Sequence, residues 1–259
     1  MIQNRIKALF LYRHTLWDMA ISQLKARYAS SFSGIYSSLI SPFLIMSVIT
    51  FVFTCVFKVE MRNFPLFIFS GIIPWMFFSN ALTESASSIL NQLNILRQFN
   101  LPREILPLSC VLAHFLNFLV GWVVLYPVFL FFNPKIILLL PFLCIIILLH
   151  LVLLLGLGLL LSVLTVLFRD IVYLLSVALM FLFWITPVFY STAVMPAQFQ
   201  WIFNFNPMVP FILAYQKILY YGVIPETFLI LSVFSWSVMS VILGFIVFSR
   251  LENKILKNI

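Results

Sequence analysis

Charge is the property that this sequence has least of. Only 8% of its 259 residues are charged, 64% are hydrophobic, and the mean hydropathy is +1.15. A water-soluble domain of this length could not cover its surface with so few charges, whereas lipid accepts outward-facing apolar side chains. The scarcity of charge therefore excludes a soluble protein and predicts a membrane protein.

Other missing features exclude nucleic-acid binding, a disulfide scaffold and a cleaved leader. The net charge is +8, but the cations lie between apolar runs and form no patch suited to a nucleic-acid backbone. The three cysteines, Cys55, Cys110 and Cys144, lie inside apolar runs, so no disulfide scaffold is expected. We expect no cleaved leader either, because the first long apolar run begins near Ser37.

Signatures of catalysis and nucleotide binding are also missing. No lysine follows a glycine, so the sequence has no Walker A loop to hold phosphates. Carboxylates and histidines do not cluster as acid–base or metal chemistry requires, so we expect no catalytic residue and no metal site. These absences weigh against an enzyme that acts on lipid-linked sugars.

Long apolar runs, separated by charges, predict the fold. A helix needs about 20 apolar residues to cross the hydrocarbon core of a bilayer. Six intervals fit this requirement: 37–57, 64–82, 105–132, 136–168, 171–190 and 227–249. We therefore predict an all-α polytopic membrane protein with six transmembrane helices in a single domain, residues 1–259.

The distribution of lysine and arginine predicts the orientation. With both termini inside, the inner segments hold eleven of these cations and the outer segments hold four, which accounts for all 15. Cytoplasmic segments carry an excess of Lys and Arg. The sequence therefore predicts a multi-pass protein with both termini in the cytoplasm.

An amphipathic helix is predicted over residues 16–28, before the first span. Its apolar residues recur at helical spacing on one face: Trp17, Ala20, Ile21, Leu24 and Tyr28. Lys25 and Arg27 flank this face, where their stems can reach toward lipid headgroups. The pattern favours a helix on the inner membrane surface, with a soluble helix packed on a partner as the alternative.

The segment between the last two spans has an unusual composition. Residues 190–222 carry a single charge, Lys217, together with prolines and many aromatics. A loop in water would not expose so many aromatic rings, and a crossing helix would not hold Asn204, Asn206 and Pro207 in its middle. We predict a helical hairpin over 195–221 that turns near 204–207 and enters the outer leaflet. It is either a gate or a structural cap.

The source of energy for transport is restricted by the acidic residues. All seven lie at or beyond the ends of the predicted spans, so no buried carboxylate is available to an ion-coupled carrier. His114 with Asn117, and His150, are the remaining candidates for a proton relay, and such residues more often form hydrogen bonds between helices. Energy is therefore expected from another subunit, docked on the amphipathic inner segment 91–104, with an ordinary connecting loop as the alternative for this segment.

Several segments together resemble a known family. They are QLKARY at 23–28, FSGIIPW at 69–75, LPREILPL at 101–108, FRD at 168–170, TPVFY at 186–190, NPMVP at 206–210, and Ala214-Tyr215 followed by Gly222. In this order they resemble the permeases of type-2 ABC polysaccharide exporters, and most nearly the O-antigen exporter permeases. Teichoic-acid and capsule exporter permeases are related. The resemblance extends from about residue 16 to residue 249.

The resemblance implies partners, location and substrate. Such permeases form a homodimer that binds two copies of an ABC ATPase in the bacterial inner membrane. The ATPase would bind ATP and Mg, so this chain would need no cofactor of its own. The implied substrate is a polysaccharide linked to undecaprenyl diphosphate. An ABC exporter of drugs or small lipids with the same fold remains the alternative.

The resemblance also implies roles for individual segments. Residues 16–28 would be the interface helix, 91–102 the coupling helix, and 195–203 with 209–221 the outer gate helices. The coupling candidates are Asn94, Arg97, Phe99, Leu101, Pro102 and Arg103. The candidates for the channel or gate are Trp75, Phe189, Tyr190, Trp201 and Tyr215. Arg27 and Arg103 are candidates for binding the lipid diphosphate, with membrane anchoring as the alternative for both and the favoured one for Arg27.

Overall fold

The computed structural model describes residues 10–29, 44–45, 47–56, 61, 63–93, 98, 101–192, 198 and 201–258, with side chains up to residue 251. These residues form helices and turns, and no strand occurs among them. The α-helices are α1 (Arg13–Ala29), α2 (Phe64–Asn91), α3 (Ile105–Phe132), α4 (Leu140–Leu167), α5 (Ile171–Ile185), α6 (Trp201–Phe205), α7 (Met208–Gln216) and α8 (Thr227–Asn258). The predicted all-α class is confirmed.

Four of the predicted spans appear as helices that are long and apolar enough to cross a bilayer. They are Phe64–Asn91, Ile105–Phe132, Pro134–Leu167 and Thr227–Leu251. The fifth, α5, is apolar but has only 15 residues. Within the first predicted span, residues 44–45 and 47–56 are helical, ending in a π-helical turn at Val52–Val56, and the rest lies outside the described residues. The count of six spans stays a prediction.

Two of the predicted helix ends differ from the structure because of proline. The fifth span was expected to reach Tyr190, but α5 ends at Ile185 because Thr186 precedes Pro187 and is extended, with φ −72° and ψ 131°. The Tyr190 hydroxyl then donates a 2.5 Å hydrogen bond to the carbonyl of Ile185, one of the acceptors left open at the helix end. The fourth span begins as a 3₁₀ turn, Pro134–Leu139, and only then becomes α4.

Helix α2 is longer than expected. The prediction ended it at residue 82, but α2 continues to Asn91 and measures about 42 Å at 1.5 Å per residue. The hydrocarbon core is about 30 Å thick, so the last two turns of α2 extend into the headgroup layer. Helix α2 therefore leads directly into the segment predicted to couple the chain to its partner.

Glycines bring α4 and α8 into backbone contact. A Cβ atom on Gly244 would lie 2.1 Å from the carbonyl oxygen of Gly156, and one on Gly156 would lie 2.3 Å from the backbone of Ser240. The Ser237 hydroxyl adds a 2.8 Å hydrogen bond to the carbonyl of Leu149. Small residues at such contacts let membrane helices pack closely without a hydrophobic driving force. This contact holds α8 against the centre of the protein.

Candidate functional site

Helix α1 is attached to α3 through polar side chains. The Gln23 amide nitrogen donates to the Ser109 hydroxyl over 3.1 Å, and the Tyr28 hydroxyl donates to the side-chain oxygen of Asn117. Ala20, one turn before Gln23, is completely buried. The helix predicted over 16–28 thus lies within α1, and its contact with α3 uses Tyr28 of the predicted apolar face together with Gln23, which that face did not include. Gln23 was missed because its partner is 86 residues away.

A cluster of three charged or titratable groups joins α1, α2 and α3. Arg27 of α1 forms an ion pair with Glu84 of α2, and its two terminal nitrogens lie 2.9 and 2.7 Å from the ring nitrogens of His114 on α3. The His114 ring also lies 3.2 Å from the Glu84 carboxylate. We call Arg27, Glu84 and His114 the inner clamp. A cation, an anion and a buried imidazole at these distances stabilise one relative position of the three helices.

Contacts in and near the inner clamp bear on two predictions, diphosphate binding by Arg27 and a proton relay through the histidines. The Arg27 guanidinium is 28% exposed and has its charge offset by Glu84, which favours a structural role over diphosphate binding. His114 and Asn117 both bond to residues of α1. His150 is fully buried, with its Nδ1 3.4 Å from the Tyr215 hydroxyl. These histidines therefore act as hydrogen-bonding groups between helices, which was the alternative to a proton relay.

The segment predicted as the outer hairpin, 195–221, contains α6 and α7. Hydrogen bonds join it to the end of α5 and the residue that follows. Asn206 lies at the turn, where its side-chain nitrogen donates to the Thr186 hydroxyl over 2.9 Å and its oxygen accepts from the Met208 backbone over 3.0 Å. Gln216, at the end of α7, donates to the carbonyl of Pro187 over 2.7 Å. The hairpin and the segment after α5 are thus held together at both ends of α7.

The five aromatic candidates for the channel do not share one environment. Tyr215 has no exposed surface and packs against Trp122, Phe118 and His150, with ring centroids 6.0 to 6.4 Å apart. Trp75 and Phe189 are also buried. Their surface is covered by their own chain, and their role in a channel stays a prediction. Tyr190 is partly exposed and Trp201 is 58% exposed.

One face of α5 is left open. Only Leu179 of this helix is buried, and large side chains at helical spacing are exposed: Tyr173, Leu174, Val177, Met180, Phe181 and Trp184. An open face of this size fits lipid or a second protein surface. It lies on the helix whose end carries the outer hairpin, so a partner on this face would be linked directly to the hairpin.

Comparison with known proteins identifies the family. The family model of the ABC-2 type transporter matches residues 15–220, which run from the start of α1 to the end of the outer hairpin. The chain belongs to the ABC-2 type transporter family. The resemblance stated from the sequence is thereby confirmed.

Curated relatives of this ABC-2 transporter chain match over nearly their whole length. An O-antigen export system permease protein RfbA of Klebsiella pneumoniae is 28% identical over 249 residues, covering 92% of this chain and 94% of the relative. The protein of the same name from Myxococcus xanthus is 30% identical over 240 residues, covering 85% and 86%. The chain is therefore similar to these permeases over most of its length.

The coupling candidates of this ABC-2 transporter chain are only partly described. Asn94, Arg97 and Phe99 lie outside the described residues. Leu101, Pro102 and Arg103 are non-helical and partly buried, and they lead into α3. The predicted coupling segment thus connects the end of α2 to the start of α3, the two helices that the inner clamp ties to α1.

Proposed function

We propose that this chain is the permease subunit of an ATP-driven exporter that carries O-antigen polysaccharide, linked to undecaprenyl diphosphate, across the bacterial inner membrane. The observation that carries the proposal is the similarity, over 92% of the chain, to a protein named as an O-antigen export system permease. The order of the sequence segments that resemble exporter permeases supports the same substrate class.

The energy would come from a partner ATPase. The sequence has no Walker A loop, so two copies of an ABC ATPase would bind ATP and Mg and push on segment 91–102. The inner clamp would transmit this movement to α1. Glu84 and His114 lie on the two helices that flank the segment, and Arg27 joins both helices to α1. The three helices would then move as one body. Arg103, at the start of α3, is the remaining candidate for contact with the lipid diphosphate.

The channel would form between two copies of the chain. The open face of α5 supplies an apolar surface for a second copy in a homodimer. The outer hairpin, fastened to the end of α5 through Asn206 and Gln216, would close the outer mouth. Trp201 and Tyr190 are the candidates that still present a ring to a passing sugar, since aromatic faces stack on apolar faces of pyranoses and allow sliding.

The orientation of the chain is part of the proposal. Both termini would lie in the cytoplasm, in line with the excess of Lys and Arg in the inner segments. A single cysteine at position 254, in a chain without its three natural cysteines, should react with a membrane-impermeant maleimide only after the cells are opened. Labelling of intact spheroplasts would overturn this orientation.

Deletion of the gene in its own strain tests the function. The deletion should remove O-antigen from the cell surface and should cause lipid-linked O-antigen to accumulate on the cytoplasmic side. Complementation with the native gene should restore export. Normal surface O-antigen in the deletion strain, or loss of a teichoic acid or capsule in its place, would refute the assigned substrate.

A further inference from the structure

A polar pocket lies between α1 and the inner end of α2, beside the inner clamp. Its volume is about 390 Å³, and it is lined mainly by polar side chains, among them Gln23, Arg27, Glu84, Ser87, Asn91 and Gln92. This volume lies within the range of sites that bind small molecules and headgroups.

Two of the residues that line this pocket have a side-chain oxygen without a partner. The side-chain oxygens of Gln23 and Gln92 are buried and accept no hydrogen bond from the described residues. The orientation of the Gln23 amide is fixed, because Ser109 gives its own proton to the carbonyl of Leu106 and can only accept from the Gln23 nitrogen. A buried acceptor without a donor is costly, so its presence indicates that a donor is supplied from outside.

Four of the side chains that line the pocket already donate hydrogen bonds to other groups of the protein. Arg27 bonds to His114 and Glu84, and the Asn91 side-chain nitrogen donates to the Ser87 hydroxyl oxygen over 3.3 Å. The hydroxyls of Ser87 and Ser88 donate to backbone carbonyls of α2. The half-exposed Glu84 carboxylate, which is paired with Arg27, adds further acceptor atoms to the lining.

The depth of the pocket points to lipid. Glu84 lies about 30 Å along α2 from Phe64, which is the thickness of the hydrocarbon core. Glu84, Ser87, Asn91 and Gln92 therefore lie at the level of the headgroups. A ligand that approaches from the bilayer at this level presents its headgroup to the pocket.

We propose that this pocket binds the primary ammonium group of a phosphatidylethanolamine headgroup. A primary ammonium has three N–H donors and no acceptor, which matches a site that offers orphan amide oxygens and a carboxylate. Phosphatidylcholine has the same charge but no N–H donor and cannot satisfy these oxygens. The bound headgroup would brace α1 against α2 next to the inner clamp, whatever substrate the transporter carries.

Native mass spectrometry of the full chain, purified in its native assembly, tests this site. The protein is exposed in micelles to equal amounts of dioleoylphosphatidylethanolamine and dioleoylphosphatidylcholine. We expect retention of the ethanolamine lipid to exceed that of the choline lipid by about tenfold, the effect of a hydrogen bond to a charged group. Gln23→Leu should abolish the preference, and Gln23→Glu should increase it. Gln198→Leu, an exposed glutamine of the outer segment, should leave it unchanged.

Three results would overturn the proposal. Equal retention of the two lipids by the native chain would show that N–H donors are not recognised. A preference that persists in Gln23→Leu, with Gln23→Glu also unchanged, would place the lipid elsewhere. Stronger retention of dioleoylphosphatidylglycerol than of the ethanolamine lipid would show a site for anions. Each of these results leaves the proposed export function intact, so the two proposals can fail separately.

Discussion

Arg27 and Glu84, 57 positions apart in the sequence, form an ion pair that ties α1 to the inner end of α2. The carboxylate also contacts His114 of α3, which is buried. Three elements on the side predicted to be cytoplasmic are thus joined at one point, directly before the segment predicted to receive the ATPase. This arrangement gives α1 a fixed position on the helices whose movement it would share.

Replacing Glu84 by Gln should loosen α1. The substitution keeps the shape of the side chain and removes the charge that offsets Arg27. Since the carboxylate is 51% exposed, we expect a loss of only about 1 kcal/mol of stability, or a few degrees in Tm, together with a several-fold loss of export. Glu226→Gln breaks the exposed ion pair with Lys217 and is the matched control. We expect it to leave both stability and export unchanged. Equal effects of the two variants would contradict a special role for the inner clamp.

Replacing Gly244 by Leu should separate α4 from α8. A Cβ atom there would lie 2.1 Å from a backbone oxygen that cannot move aside, so the cost should be at least about 3 kcal/mol. Gly121→Leu, on α3, has nothing within 4 Å of the added Cβ and should fold normally. Thermal unfolding of the purified variants, followed by accessibility of a buried cysteine, measures the difference. A Gly244→Leu chain as stable as Gly121→Leu would show that the two helices do not pack this way.

Asn206→Ala should release the outer hairpin from α5. The substitution removes the bond that Asn206 donates to the Thr186 hydroxyl oxygen and leaves the buried Met208 backbone N–H without its acceptor, at a cost of about 1–3 kcal/mol. Asn204→Ala changes an exposed residue of the same type two positions away and serves as the control. Protease sensitivity of the segment between α5 and α7 should rise only in Asn206→Ala. If both variants are equally resistant, the contact with Thr186 does not hold the hairpin.

Trp201→Ala should lower export, whereas Tyr215→Ala should lower the stability of the protein. Trp201 is exposed, so its removal should reduce export while the unfolding temperature stays the same. Tyr215 is completely buried among rings, so its removal should destabilise the protein by about 3–5 kcal/mol. Export assays and thermal unfolding on both variants separate a channel residue from a core residue. A stable Tyr215→Ala chain with reduced export would restore Tyr215 as a channel residue.

Much of the fold follows from the apolar runs, because membrane helices are as long as the bilayer is thick. Helices α2, α3, α4 and α8 lie where long runs without charge predicted them. The early end of α5 follows from Pro187, whose effect on the preceding residue is a local rule that the span prediction did not apply. The extension of α2 to Asn91 could not be judged from hydropathy, which falls before the helix ends.

The candidate site was harder to predict, for two physical reasons. An aromatic ring suits a channel, a protein core and a lipid-facing surface equally well, so the sequence could not show that Tyr215 is buried and Trp201 exposed. The inner clamp depends on which helices meet in space. Arg27 looked like a membrane anchor or a phosphate ligand because nothing near it in the sequence indicates that Glu84 and His114 lie beside it.

Export by the reconstituted transporter tests the central claim most directly. The chain is placed in proteoliposomes with its ATPase and undecaprenyl-diphosphate-linked O-antigen, and glycan delivered across the bilayer is measured with and without ATP. We predict delivery only with ATP and Mg, and its loss in the Phe99→Asp, Leu101→Asp double variant, because charge would be buried in the ATPase contact. Delivery without ATP, or at the native rate in the double variant, would contradict the account.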